Sequence, residues 1–90
     1  MISKIEFDHK EFLKDIVIEE DANKEWYLSD DYYSWYYTYG FTIKPKSIFE
    51  VGVRYGYSMA CIIKGSVDAG VAPELVIGTD NEEDHAGSNT

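Results

Sequence analysis

The sequence predicts an α/β domain in which N-terminal helices precede one βαβ unit of a parallel sheet. Two observations carry this. The runs SIFEVGV, from Ser47, and LVIGT, from Leu75, are short, apolar and rich in β-branched residues, as strands of a parallel sheet buried on both faces are. Between them lie a glycine-punctuated turn, RYGYS, and an apolar pattern at helical spacing, and residues 48–80 have the length of one such unit. The rule for parallel crossovers makes the connection right-handed.

Length and composition set the outer bounds. With 90 residues, one small domain is the most the chain supports. Hydrophobic residues at 44% and charged residues at 28% are globular proportions and argue against a disordered tail or a coiled coil as the nature of the chain. A formal charge of -9 repels phosphate backbones and anionic headgroups, so neither nucleic acid nor a membrane is an expected partner. No apolar run reaches the roughly 20 residues of a membrane helix, and the opening MISKIEFDHK lacks a signal-peptide core, so the expected location is cytoplasmic. Cys61, the single cysteine, lies in the apolar run MACII and reads as a small buried hydrophobe.

Three zones follow from the order of residues: a helical and aromatic segment over 1–44, the βαβ unit over 45–80, and an acidic polar tail over 81–90. In the first zone Asp8 and Glu11 have capping-box spacing, and Phe12, Leu13, Ile16 and Val17 recur at three and four, which predicts a short amphipathic helix. The run WYLSDDYYSWYYTYGF predicts a second helix over 30–39, with Ser29 as N-cap, Asp30 and Asp31 in its first turn and Gly40 as a left-handed stop. On it Tyr32, Trp35, Tyr36 and Tyr39 share one face and Tyr33 and Tyr37 another. Such a helix either packs on the edge of the sheet or forms a wall over a ligand pocket.

In the βαβ unit, Pro45 ends the preceding segment and the first strand covers 47–53. Met59, Ile62, Ile63 and Val67 mark one side of a helix whose middle Gly65 weakens and which Gly70 and Pro73 close. The second strand, Leu75–Thr79, leads to Asp80. The tail NEEDHAGSNT reads as frayed, and its acids around His85 as solvated rather than as a metal site; no metal is expected.

The glycine turn limits the ligand class. A P-loop needs Gly, four residues and then Gly-Lys-Ser/Thr, which is absent. A dinucleotide fingerprint needs Gly-x-Gly-x-x-Gly, and Arg54 occupies the middle glycine's place, adding bulk where a pyrophosphate would lie. The pattern present is acid-x-Gly-x-x-x-Gly-x-Ser, formed by Glu50, Gly52, Gly56 and Ser58 around Val53, Arg54 and Tyr55. An acid at the strand end suits an ammonium or sulfonium charge or N–H donors, whereas the amides of a helix start favour a carboxylate. Both together describe the methionyl half of S-adenosylmethionine. Asp80 stands where an acid can accept hydrogen bonds from a ribose diol.

FEVGVRYGYS, followed by a helix and LVIGTD, resembles the first motif and second strand of the class I S-adenosylmethionine-dependent methyltransferases, and most closely their small-molecule O-methyltransferase branch. The resemblance covers about residues 45–80 and implies a Rossmann-like sheet. By it, Glu50 supports the turn and the cofactor's amino group, Gly52 lets backbone approach the methionyl chain, Gly56 and Ser58 shape the helix start, and Asp80 holds the ribose. Arg54 departs from it where many relatives carry a third glycine. The family's acceptor-side groups come mostly from later strands, so the expectation is the N-terminal, cofactor-binding part of a longer enzyme that methylates a small molecule. Alone it should be inactive, and no catalytic residue can be assigned. Two alternatives stay open: a fragment of a nicotinamide-type Rossmann enzyme, and a non-catalytic interaction domain, with a homo-oligomer formed through the aromatic helix or the open sheet edge.

Overall fold

A computed structural model of the chain describes residues 2–29, 31–51 and 56–79. Three short helical turns, α1 (His9–Leu13), α2 (Glu19–Ala22) and α3 (Glu25–Leu28), lead into the long helix α4 (Tyr32–Ile43). Strand β1 (Ser47–Val51), helix α5 (Tyr57–Asp68) and strand β2 (Leu75–Thr79) complete the order. The two strands pair in parallel, with Ser47 opposite Leu75 and Val51 opposite Thr79, so the βαβ unit and the α/β class stand as predicted.

Half of the predicted capping box of α1 is present: Asp8 caps the helix, while the Glu11 carboxylate takes Lys14 at 2.9 Å. Asp8 Oδ1 accepts from the Glu11 amide at 3.2 Å, satisfying a donor that the helix start leaves open. The helix itself ends at Leu13, shorter than the spacing of its apolar residues implies. Leu13 alone of that set is fully buried, while Phe12 and Ile16 are exposed. Around Leu13 an aromatic core gathers from distant parts of the chain: Tyr27, Tyr33 and Tyr57, with Cys61. His9 belongs to it, its ring stacked on Tyr33 at 4.6 Å and its Nε2 paired with the Tyr27 carbonyl at 2.6 Å. The thiol of Cys61 is pushed up to about 12 by burial, which makes it the inert apolar group that its setting predicts.

The aromatic helix divides as predicted, with Tyr33 and Tyr37 buried and Tyr32, Trp35, Tyr36 and Tyr39 exposed. Its termini and its partner differ from prediction. It runs to Ile43, and its left-handed cap is Lys44 at φ 53°, whose N–H bonds the Gly40 carbonyl. Gly40 lies inside the helix, where α4 packs against α5. A Cβ at Gly40 would overlap the Ile62 carbonyl oxygen, and one at Gly65 would overlap the Tyr37 carbonyl. Both glycines therefore serve close approach of two helix backbones, in place of stopping one helix and weakening the other. Ser29 does not cap α4; its hydroxyl donates to the Glu25 carbonyl at 2.9 Å and closes α3.

The strands also differ from prediction in their burial. In β1, Ile48 and Glu50 are partly covered, whereas Phe49 and Val51 are 66% and 72% exposed. All of β2 is exposed. Side chains alternate along a strand, so Phe49, Val51, Leu75 and Ile77 share one face by the pairing register, and that face is open. The reason is the placing of the helices: α4 spends its buried face on α5 and the N-terminal segment and leaves the second sheet face uncovered.

Among the described residues no helix is long and apolar enough to cross a membrane. The predicted tail and the acids around His85 lie outside the described residues.

Candidate functional site

Of the ligand-turn residues singled out by sequence, Glu50, Gly56 and Ser58 are described, and Ser58 meets Glu50. Glu50 is the fourth residue of β1, and alternation turns it to the helix-covered side. Gly56 precedes α5 with φ 82°, a left-handed conformation that costs a residue with a Cβ roughly 1 kcal/mol or more. That kink turns the chain into α5, whose first intrahelical bond runs from the Ala60 amide to the Gly56 carbonyl at 2.9 Å. Ser58, in the first turn, then reaches back across the strand end, and its hydroxyl donates to Glu50 Oε2 at 2.7 Å.

The second oxygen of the same carboxylate, Glu50 Oε1, is shut off from solvent and has no hydrogen-bond partner among the described residues. A carboxylate oxygen removed from water without a donor costs on the order of 1 to 3 kcal/mol or more, so an orphan of this kind marks a place where a donor belongs. Opposite Glu50 in the register stands Gly78, which brings no side chain to that side of the sheet. The carboxyl ends of both strands and the start of α5 thus converge on one carboxylate with unused accepting capacity. This arrangement can receive an ammonium group or an N–H donor, with the amides of a twelve-residue helix nearby for a negative group.

Gly52, Val53, Arg54, Tyr55 and Asp80 lie outside the described residues. The site is therefore Glu50, Ser58 and Gly56, and the ribose-side prediction on Asp80 adds nothing to its geometry.

Sequence reasoning missed Tyr57. Its hydroxyl accepts from the Ile18 amide at 3.0 Å and donates to Asp21 Oδ2 at 3.1 Å. Asp21, in the first zone, is 1% exposed, although it directly follows the exposed acids Glu19 and Glu20. The available signal was position: a tyrosine directly after the turn glycine, at the start of a helix.

A separate apolar groove of about 440 Å³ is lined by Ile2, Trp35, Tyr36, Tyr39 and Ile62. It uses the exposed face of the aromatic helix, as a wall over a pocket would, and its lining includes none of Glu50, Gly56 or Ser58. Among the described residues no group of three or more His, Cys, Asp or Glu side chains could hold a metal ion.

No protein-family model, no curated protein and no solved structure matches the chain.

Proposed function

We propose that this chain is the N-terminal, cofactor-binding part of an S-adenosylmethionine-dependent methyltransferase acting on a small-molecule acceptor, built on a Rossmann-like sheet. The observation that carries the reading is Glu50: a carboxylate at the carboxyl end of the first strand, held by Ser58 through one oxygen, with the other oxygen buried and without a hydrogen-bond partner among the described residues. The cofactor's methionyl ammonium meets that requirement as a charged donor, and the adjoining start of α5 suits its carboxylate. When bound, S-adenosylmethionine supplies a methyl group on a sulfonium sulfur, ready for in-line displacement. The chain's own residues bind and orient: Glu50 takes the ammonium, Ser58 fixes the rotamer of Glu50, and Gly56 sets the angle at which α5 begins. Asp80 is assigned to the ribose hydroxyls by the family resemblance alone.

The open sheet face supports reading the chain as part of a larger enzyme. Parallel sheets are covered on both sides, and Phe49, Val51, Leu75 and Ile77 await such a cover. Groups that position and deprotonate an acceptor would belong to that remainder, so the isolated chain binds cofactor weakly and turns nothing over. Catalysis by the purified chain with labelled cofactor would overturn the fragment reading.

The direct test is an NMR titration of the whole chain with S-adenosylmethionine and, separately, with a nicotinamide dinucleotide. Saturable shifts at Glu50, Gly56 and Ser58 are expected with the first, with a dissociation constant on the order of 0.1 to 1 mM. Glu50→Gln, which swaps the charged acceptor for an amide, should weaken that binding at least about tenfold. Saturation by the dinucleotide alone would transfer the reading to a nicotinamide-type enzyme.

The same open face and the aromatic groove favour a second reading, a non-catalytic interaction domain that meets a partner or another copy of this chain. A monodisperse dimer indifferent to both cofactors would establish it.

A further inference from the structure

Tyr57 and Ser58 are consecutive, and they open α5. Neighbouring helix positions point about 100° apart, so their side chains reach different parts of the molecule. Ser58 holds Glu50 at the strand end, at 2.7 Å. Tyr57 turns to the N-terminal segment, where it takes the Ile18 amide hydrogen and gives its own hydrogen to Asp21, across 39 and 36 residues of chain respectively. Its ring is buried, 6.4 Å from that of Tyr27. Asp21 is withdrawn from water, and a carboxylate in that state depends on the donors it retains. The first turn of α5 is therefore pinned from two sides, by the strand end and by the turn at α2.

We infer that Tyr57 and Asp21 are positioning residues for the Glu50 and Ser58 site, and that filling this site is linked to the docking of residues 18–27 on the start of α5. The inference rests on the cofactor reading above. The distance between Ser58 and Glu50 depends on where α5 starts, and the Tyr57 hydroxyl is a polar tie between that start and the N-terminal segment. Linkage is reciprocal: if docking improves the site, an occupied site must tighten docking by the same factor.

The test joins an S-adenosylmethionine titration of the whole chain to amide hydrogen exchange, with Ile18 as the reporter because its N–H is the one bonded to Tyr57. In the wild-type chain, saturating cofactor should slow exchange at Ile18 several-fold. Tyr57→Phe, checked for folding by circular dichroism, should bind about tenfold more weakly and lose the Ile18 response. Asp21→Leu, checked for folding in the same way, removes the acceptor of the Tyr57 hydroxyl and should weaken binding in the same direction and lose the Ile18 response; a folded Asp21→Leu that binds and responds as the wild type does overturns the role of Asp21. A cofactor that binds and leaves Ile18 exchange unchanged overturns the linkage without recourse to any variant. So does a folded Tyr57→Phe that binds as the wild type does. A wild-type chain that fails to bind overturns the cofactor reading itself, a result distinct from these.

Discussion

Gly40 and Gly65 face each other's helices where α4 packs on α5, each standing where any side chain would run into the backbone of the other helix. Gly40 meets the Ile62 carbonyl and Gly65 the Tyr37 carbonyl, so the contact is backbone against backbone and cannot yield by a rotamer change. Gly40→Ala and Gly65→Ala should each destabilise the fold by about 3 kcal/mol or more, the upper end of overpacking costs, although alanine raises helix propensity. Urea unfolding checks this, and a neutral or stabilising result at either position would refute the close approach.

Tyr37 and Asp68 tie the same two helices by a hydrogen bond of 2.7 Å, and Lys64 reaches Asp68 at 3.1 Å from the other side. Burial, together with the bond to Asp68, pushes the Tyr37 hydroxyl up to about 12 from 10.0. A raised folded value means a contribution fully present below the unfolded value and lost as pH rises through the folded one. Stability should accordingly fall between pH 10 and about 12 as Tyr37 ionises, and the fall should be smaller in Tyr37→Phe. The same substitution at pH 7 should cost on the order of 1 to 2 kcal/mol.

Asp68 gives the opposite limb. Its hydrogen bond from Tyr37, and then that from Lys64, lower its carboxyl below the ordinary value of 3.8. A lowered folded value means stability that is present above 3.8 and disappears as pH falls below it. Asp68→Asn should flatten the acid limb of a thermal-melt series against pH, and an unchanged acid limb would remove Asp68 from the account.

Cys61 and Leu13 test the core. With its thiol pushed up to about 12 and its side chain fully buried, Cys61 should resist iodoacetamide at pH 8 in the folded chain and react readily in urea. Leu13→Ala should lose about 2 to 5 kcal/mol, because the surrounding aromatic rings are too stiff to fill the space. Rapid labelling of Cys61 without denaturant would place the thiol outside the core.

What the sequence determined alone is the part governed by local chemistry. Apolar β-branched runs at Ser47 and Leu75 specify strands, a capping acid at Asp8 starts a helix, and helical spacing sets Tyr33 and Tyr37 on a different face from Tyr32, Trp35, Tyr36 and Tyr39, while packing decides which of the two faces is buried. The meeting of Glu50 and Ser58 was legible for the same reason, since strand, left-handed glycine and helix start are consecutive. Tertiary structure decided whatever depends on which surfaces meet. Gly40 looks like a helix stop, and only the approach of α5 makes it a contact point, moving the stop to Lys44. The strands read as buried on both faces, and only the arrangement of helices leaves Phe49 and Val51 open. Tyr57 and Asp21, 36 residues apart, have no local signal that pairs them. A residue's own neighbours fix its backbone preference, whereas its burial and its partners are settled by packing between segments that no local pattern encodes.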